Sequence, residues 1–313
     1  MSYHDDKTRV SNSSLTLFAR APILWRKWRD GELIDRKTPD MIFGSLLHCL
    51  ALEPQNLDKL FAVIPDDAPS KPTKAQLVAW QKFAHLEKPS KAQLEANEKT
   101  TKALQWWNAW SEANEGKEVV DASDIAEAQS CLDGIKADRM SAAFLSAPGF
   151  SEVEIQWTDE ATGLPCKAKL DRITRRAIID LKTASDASAD GFKRAAHDRR
   201  YRNQAAWYLD GVASALKQGT LAPEIIQLLD SKAPELFVFV AVEKDENHLA
   251  HCLPATAEFV QRGRDENALL MRDLKHCIDA DTWPGLAKDE SGMTPMDLQS
   301  WLPKLETTEQ PNA

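Results

Sequence analysis

Two carboxylates and a lysine lie in short stretches typical of neighbouring β-strands. Asp171 lies in the alternating stretch 165–174, and Asp180 and Lys182 lie in the apolar stretch 177–183. Side chains of a strand alternate between its two faces, so Asp180 and Lys182 share one face. Two acids on adjacent strands can converge on one point, with the ammonium group beside them. A charge at the end of an apolar run is costly unless it is paired or metal-bound.

This combination of groups suits the hydrolysis of phosphodiesters. Clustered carboxylates bind hard cations such as Mg²⁺ or Mn²⁺ through oxygen. Such an ion polarises a phosphate and lowers the pKa of a bound water. A lysine beside it can position or deprotonate the water, or stabilise the transition state. A surface salt bridge between Asp180 and Lys182 is the alternative interpretation, because D-x-K is common in strands.

Three further residues extend the candidate site. His48 lies in the apolar stretch FGSLLHCLALEP. A single histidine on such a face is normally a satisfied core residue, but near carboxylates it is a plausible metal ligand. Gln204 and Tyr208 have i, i+4 spacing in a predicted helix that follows the strands, so they share one helix face.

The elements that must position these residues form an α/β pattern in the order helix, three strands, helix, strand. The three strands are joined by short turns, which predicts an antiparallel meander. The last strand, ELFVFVAVE, is continuously apolar and is therefore predicted to be covered on both faces. The predicted strands span 152–157, 165–174, 177–183 and 235–243, and the predicted helices span 11–30 (broken at Pro22), 38–53, 191–219 and 256–279.

Residues 65–147 open with a proline-rich loop and then follow a helical pattern throughout. They predict a helical insertion within a single domain that covers residues 1–304. The polar tail, 305–313, is predicted to be disordered. No apolar run is long enough to span a bilayer, and the polar start MSYHDDKTRVSNSS is unlike a signal peptide. We therefore expect a cytoplasmic protein with no membrane contact.

The charge balance limits the choice of partners. A net charge of -9 argues against nucleic-acid binding, which needs Lys and Arg at phosphates. Net charge describes long-range fields, however, and not one groove. Basic residues are clustered, and one cluster includes Arg199, Arg200 and Arg202. The five cysteines are scattered without zinc-type or iron–sulfur spacing, which favours buried or reduced thiols.

Several phrases together resemble the RecE-like exonucleases (exodeoxyribonuclease VIII type) of the PD-(D/E)xK nuclease superfamily, found in phages and prophages. They span most of the chain outside the predicted insertion and the tail. The phrases are SNSSLTLFARAP, MIFGSLLHCLALEP with a G-x-x-x-H element, EVEIQWTDEATGLPCKAKLD, IIDLKTASDAS, YRNQAAWYLDG with a Q-x-x-x-Y element, and Trp283-Pro284-Gly285.

The resemblance implies a restriction-endonuclease-like (PD-(D/E)xK) α/β core, with a central mixed sheet flanked by helices. It also implies a role for each matching residue. Glu154 lies two positions beyond Glu152 and could replace it. The implied metal ligands are His48, Glu152, Asp171, Asp180 and the backbone carbonyl of Leu181; Lys182 would be the catalytic lysine, with Asp171 and Asp180 also catalytic; Gln204, Tyr208, Arg199, Arg200 and Arg202 would touch DNA or support the site.

The sequence departs from the pattern at Leu170, which precedes Asp171 where proline is common. Relatives with an iron–sulfur cluster need four suitably spaced cysteines, so no cluster is expected here.

The implied activity is Mg²⁺-dependent (or Mn²⁺-dependent) 5′-to-3′ digestion of linear double-stranded DNA, leaving 3′ single strands for recombination. A homo-oligomeric ring and a single-strand annealing partner of the RecT or Beta type are implied as well. Two alternatives stay open: an endonuclease of the same fold, and an inactive DNA-binding scaffold.

Overall fold

The computed structural model describes Tyr3 and residues 5–33 and 37–286. The predicted tail at 305–313 lies outside these residues. The strands are β1 (Phe61–Val63), β2 (Glu118–Val120), β3 (Gly149–Thr158), β4 (Pro165–Thr174), β5 (Ala177–Ala184), β6 (Leu236–Glu243) and β7 (Ala250–Pro254). The helices are α1 (Asn12–Arg20), α2 (Pro22–Arg29), α3 (Pro39–Leu52), α4 (Leu57–Leu60), α5 (Lys74–Phe83), α6 (Lys91–Ala113), α7 (Ala122–Ala137), α8 (Arg139–Ser146), α9 (Ala189–Asp198), α10 (Tyr201–Gln218), α11 (Pro223–Leu229) and α12 (Ala257–Ala280), with a 3-10 turn at Pro54–Asn56.

The helices α1 and α3 begin at the residues the sequence indicates. The Ser11 side chain accepts from the Ser14 N–H at the start of α1, and Thr38 accepts from the Met41 N–H at the start of α3. Such caps satisfy N–H groups that have no partner within the helix. Pro22 separates α1 from α2 because it interrupts the helical hydrogen bonding. The predicted single helix 191–219 is wrong, because the left-handed backbone of Arg200 separates α9 from α10.

A five-stranded mixed sheet in the order β3-β4-β5-β6-β7 forms the centre of the fold. β3, β4 and β5 are antiparallel, as the meander prediction requires, whereas β6 runs parallel to β5. β6 is covered on both faces: Phe237 and Val238 point to opposite sides and both are fully buried. Phe237 packs in a core with residues of α10 and α12, and Val238 in a core with residues of α3 and α7.

The sheet forks between β4 and β5. These two strands pair only at Arg172 with Ile179 and at Ile173 with Ile178, while the rest of β4 stays with β3 and the rest of β5 stays with β6. Asp171 and Asp180 are the first residues beyond the paired part. The fork therefore brings both acids to the opening between the strands.

The N-terminal segment occupies the side of β4 that β5 has left. Val10 forms a parallel bridge with Cys166, donating to the Pro165 carbonyl at 2.9 Å and accepting from the Lys167 N–H at 2.8 Å. The buried Lys167 ammonium group donates to the carbonyls of Tyr3 and Asp6. These bonds fix Tyr3, Asp6 and Val10 beside the fork.

Residues 65–147 are not helical throughout, contrary to the sequence pattern. β2 lies inside this stretch and pairs in parallel with β1. Three-residue strands are too short to show a period of two, so periodicity cannot detect them. α7 packs against α3, β6 and β7, and thus belongs to the main core. That the stretch is an insertion stays a prediction.

Among the described residues, no helix is long and apolar enough to cross a membrane.

Gly263 allows α12 to approach α10 closely. A Cβ there would lie 2.0 Å from the Arg202 carbonyl oxygen, which is backbone and cannot move away cheaply. We expect Gly263→Ala to lower the free energy of unfolding by at least about 1–3 kcal/mol, the usual cost of overpacking. Urea denaturation followed by circular dichroism measures this change.

Gly44→Ala is the matched control, because Gly44 also lies in a helix but a Cβ there has no neighbour within 4 Å. It should leave stability unchanged or raise it by up to about 1 kcal/mol through helix propensity. Equal effects of the two substitutions would contradict the close approach of α10 and α12.

Candidate active site

A cleft of about 740 Å³ opens at the fork. Side chains from one helix on each side of the sheet line it, together with residues of β3 and β4. The cleft-lining residues from the predicted site are His48 of α3, Glu152 of β3, Asp171 of β4, and Gln204 and Tyr208 of α10.

Three potential metal ligands meet in this cleft. One ligand atom each of His48, Glu152 and Asp171 lies within 4.8 Å of the other two. The His48 Nδ1 is 3.9 Å from Glu152 Oε1 and 3.7 Å from Asp171 Oδ2. Two carboxylate oxygens and an imidazole nitrogen are suitable donors for a divalent cation. The residues present therefore fit the metal that the fold implies.

The backbone of Leu181 orients two of these ligands. Its carbonyl oxygen lies 2.8 Å from His48 Nε2, and its N–H donates to Asp171 Oδ2 at 2.8 Å. A hydrogen bond from Nε2–H to this carbonyl leaves Nδ1 as the nitrogen with a free lone pair, facing the carboxylates. In this structure the Leu181 carbonyl thus holds the histidine. Direct metal binding by that oxygen stays a prediction.

Glu152 has an unusual backbone conformation for a residue within a strand. Its φ of 54° lies in the left-handed region, between the regular pairs Ser151–Arg172 and Val153–Leu170. This conformation costs a non-glycine residue about 1–3 kcal/mol and is concentrated at functional sites. Glu154 is exposed and is not part of the three-residue group. Of the two glutamates left open by the sequence, the geometry therefore favours Glu152.

Lys169 adds a cation that the sequence analysis did not assign to the site. Its Nζ lies 2.7 Å from Glu152 Oε2, and it lines the same cleft. Burial lowers the pKa of Lys169, but the ion pair with Glu152 outweighs burial and the net pKa is raised. The available signal was its position two residues before Asp171, which places both side chains on one face of β4.

Asp180 and Lys182 form a second, more buried group near Asp171. The Asp180 side chain is fully buried, its Oδ2 is 2.6 Å from Lys182 Nζ, and its Oδ1 accepts from Gln204 Nε2 at 2.8 Å. Gln204 Nε2 also lies 3.2 Å from Tyr208 Oη. The Lys182 ammonium lies 5.1 Å from the centre of the Tyr201 ring, in cation–π range.

Burial sets the protonation of this group. It raises the pKa of Asp180 to about 6, against the opposing effect of Lys182. It lowers the pKa of Lys182, but Asp180 and Asp171 outweigh it and the net pKa is raised. Asp180 is not one of the three grouped ligands, because its two oxygens point to Lys182 and Gln204. Its predicted role as a metal ligand stays a prediction.

Among the described residues that line this cleft, none is one of the three arginines proposed from the sequence. Arg200 and Arg202 form ion pairs with Glu266 of α12, at 3.1 Å and 2.9 Å. Arg199 lines a separate cavity of about 500 Å³ together with Tyr201. Arg200 and Arg202 thus join α10 to α12, and contact of any of the three with DNA stays a prediction.

Residues 11–290 match the family described as a PDDEXK-like domain of unknown function (DUF3799). The match covers most of the chain, so the chain belongs to this family. The structure is also similar to the crystal structure of a "putative exonuclease" from Eubacterium rectale, with a TM-score of 0.56 and 13% sequence identity, covering 95% of this chain and 96% of that chain. At this identity the likeness shows the fold alone. A search of curated proteins finds no match.

The family match and the fold place the chain in the PD-(D/E)xK nuclease superfamily. The predicted restriction-endonuclease-like α/β core is confirmed. Membership of the RecE-like branch stays a prediction.

Replacing Lys182 by Met should change how stability depends on pH. An acid whose pKa is higher in the folded than in the unfolded protein takes up a proton on folding, so stability falls as pH rises between the two values. For Asp180 this window runs from 3.8 to about 6. Without Lys182 the pKa of Asp180 in the folded protein rises further. The free energy of unfolding should therefore decrease more between about pH 5 and pH 8 than in the wild type. Urea unfolding with EDTA present measures it.

At pH 8 the free energy of unfolding of Lys182→Met should be lower than that of the wild type by on the order of 3 kcal/mol, because one partner of a buried pair is removed. Lys193→Met is the matched control: Lys193 and its partner Asp190 are both exposed, so this variant should follow the wild-type pH dependence. A Lys182→Met deficit of the same size at both pH values would show that Lys182 does not hold down the pKa of Asp180.

Proposed function

We propose that this protein is a metal-dependent DNA nuclease that hydrolyses phosphodiester bonds in the cleft at the fork of the sheet. The observation that carries the proposal is the group of His48, Glu152 and Asp171 beside the buried pair of Asp180 and Lys182. A surface salt bridge, the alternative interpretation of D-x-K, does not fit an aspartate that is fully buried.

His48, Glu152 and Asp171 would hold the divalent cation, with Mg²⁺ the first candidate and Mn²⁺ the second. When bound, the cation polarises the phosphate and lowers the pKa of a water molecule. Leu181 holds the histidine and Asp171 in place through its backbone. Lys169 keeps Glu152 in an ion pair, which fixes the direction of that carboxylate.

Lys182 is suited to stabilising charge. Because Asp180 and Asp171 keep its pKa raised, Lys182 carries a proton at neutral pH. A protonated lysine donates hydrogen bonds to a developing negative charge and cannot accept a proton from water. Of the roles open from the sequence, we therefore assign it stabilisation of the transition state and positioning of the water. Gln204 positions Asp180, which in turn positions Lys182.

We further propose that the enzyme is an exonuclease that digests linear double-stranded DNA from 5′ to 3′ and leaves 3′ single strands for recombination. This finer proposal rests on the phrases that resemble RecE-like exonucleases. The same resemblance supports a homo-oligomeric ring that encloses DNA, and a single-strand annealing protein of the RecT or Beta type as partner. Light scattering on the purified protein tests the ring, and a monomeric mass would contradict it.

Lys182→Ala should reduce hydrolysis of linear duplex DNA by roughly 10²- to 10⁴-fold, the usual loss when a group that stabilises charge or positions a proton is removed. DNA affinity, measured by fluorescence anisotropy, should stay close to the wild-type value, since Lys182 is largely buried. Cleavage is followed on labelled duplex with Mg²⁺, and with EDTA, which should abolish it.

Two variants serve as controls for this experiment. Lys217→Ala removes an exposed lysine at the far end of α10 and should keep full activity. Glu152→Gln keeps the shape of a candidate ligand but removes its charge, and should lose activity without unfolding. Activity that survives Lys182→Ala, or that survives excess EDTA, would rule out the proposed mechanism.

The exonuclease proposal predicts that linear duplex is degraded and covalently closed circular DNA is not. Duplexes labelled at the 5′ or the 3′ end report the polarity: 5′-to-3′ digestion releases the 5′ label first. Equal rates on circular and linear DNA would exclude an exonuclease and identify an endonuclease, while leaving the role of Lys182 intact.

A further inference from the structure

Three side chains with metal-binding atoms meet where α7 packs against the turn between β6 and β7, and none of them lines the cleft. Glu127 and Cys131 lie one turn apart on α7, and His248 lies in the turn between β6 and β7. One ligand atom of each lies within 4.8 Å of the other two. His248 is 121 positions from Glu127 in the sequence, and none of the three residues is used in the proposed reaction.

Glu127 and His248 face each other within this group, while the Cys131 thiol donates to a backbone carbonyl outside it. Among the described residues, two groups of three potential metal ligands contain a histidine: this group and the cleft group with His48. His248 Nε2 lies 3.1 Å from Glu127 Oε1, and the Cys131 Sγ lies 3.7 Å from the Glu243 carbonyl oxygen. Cys131 is fully buried, whereas Glu127 and His248 are partly exposed. The buried thiol therefore forms the floor of a site that opens to solvent past the other two side chains.

The turn that carries His248 is held in an uncommon conformation. His248 has a φ of 50°, in the left-handed region that non-glycine residues rarely occupy. Asp245 Oδ1 accepts from the backbone N–H groups of Asn247 and His248, which stabilises this turn. The conformation brings the imidazole onto α7, and strain of this kind is concentrated at functional sites.

α7 is shaped to receive the turn. Gly134 lies one turn beyond Cys131, and a Cβ there would be 1.9 Å from the His248 carbonyl oxygen. Any other residue would push the turn away from the helix. Glu127, Cys131 and Gly134 thus form one face of α7 against which His248 is seated.

We propose that Glu127, Cys131 and His248 form a second cation site, separate from the cleft, that binds Zn²⁺ or a similar transition-metal ion. Thiolate, imidazole and carboxylate are the donors that zinc takes in proteins, whereas Mg²⁺ and Ca²⁺ prefer oxygen alone. Binding replaces the proton of the Cys131 thiol by the metal, and that proton is released to solvent. With three protein ligands, the fourth position is left to water.

The expected role is structural. The ion would join α7 to the β6–β7 turn, and α7 packs against α3, which carries His48. The site therefore stabilises the packing of α7 against α3 without taking part in hydrolysis. The inference does not depend on the proposed nuclease activity.

Cobalt is the probe for this site, because a thiolate ligand gives Co²⁺ a charge-transfer absorption that oxygen and nitrogen ligands do not give. Full-length protein, stripped with chelator and kept reduced, is titrated with Co²⁺. We expect the sulfur-to-cobalt band in the wild type and its loss in Cys131→Ser. Cys49→Ser is the matched control and should keep the band, since Cys49 is the thiol that lines the cleft.

Glu127→Gln and His248→Gln retain the thiol, and each should weaken Co²⁺ binding at least about tenfold, the lower end of what loss of an outer ligand partner costs. Circular dichroism checks that each variant is folded. Zn²⁺ should also raise the Tm of the wild type and of Cys49→Ser, and raise that of Cys131→Ser less.

Absence of the sulfur-to-cobalt band in the wild type, or its persistence in Cys131→Ser, would overturn the proposal. So would unchanged Co²⁺ affinity in both glutamine variants. In those cases Glu127 and His248 form only an ion pair that holds the turn on α7.

Discussion

The buried ion pair between Asp180 and Lys182 is the interaction on which the site depends. A fully buried carboxylate is costly in an apolar core, and here the cost is offset by the lysine and by the Gln204 amide. Because both partners lie on β5 and the amide lies on α10, the pair fixes the helix against the strand. The cleft ligands are arranged around this fixed point through the backbone of Leu181.

The fork explains how charged groups are tolerated within a central sheet. Where β4 leaves β5, the strands no longer satisfy each other's backbone groups, and the Leu181 N–H instead donates to the Asp171 side chain. At the start of β4, Val10 makes backbone hydrogen bonds with the Pro165 carbonyl and the Lys167 N–H. Polar side chains thus take over hydrogen bonds that a continuous sheet would make. The geometry of the candidate site and the completion of the sheet therefore share the hydrogen bond from Leu181 to Asp171.

The order of the main elements could be predicted from the sequence, because it rests on periodicity, whereas Glu152 of the cleft was implied only by the family resemblance. Asp171, Asp180 and Lys182 were found by strand alternation, and His48 by its place in an apolar helix. The left-handed conformation of Glu152 could not be predicted, since no glycine or asparagine signals it. The pairing of Arg200 and Arg202 with Glu266 was also missed, because it joins residues more than 60 positions apart.

The docking of the N-terminal segment has a consequence for biosynthesis. Val10 leaves the ribosome long before β4 is made, and β5 finds its parallel neighbour β6 only after α9, α10 and α11 have been synthesised. Closing such long loops is slow and costs entropy before contacts repay it. The cleft is therefore complete only after α10 has been made and docked, because Gln204 and Tyr208 of α10 line it.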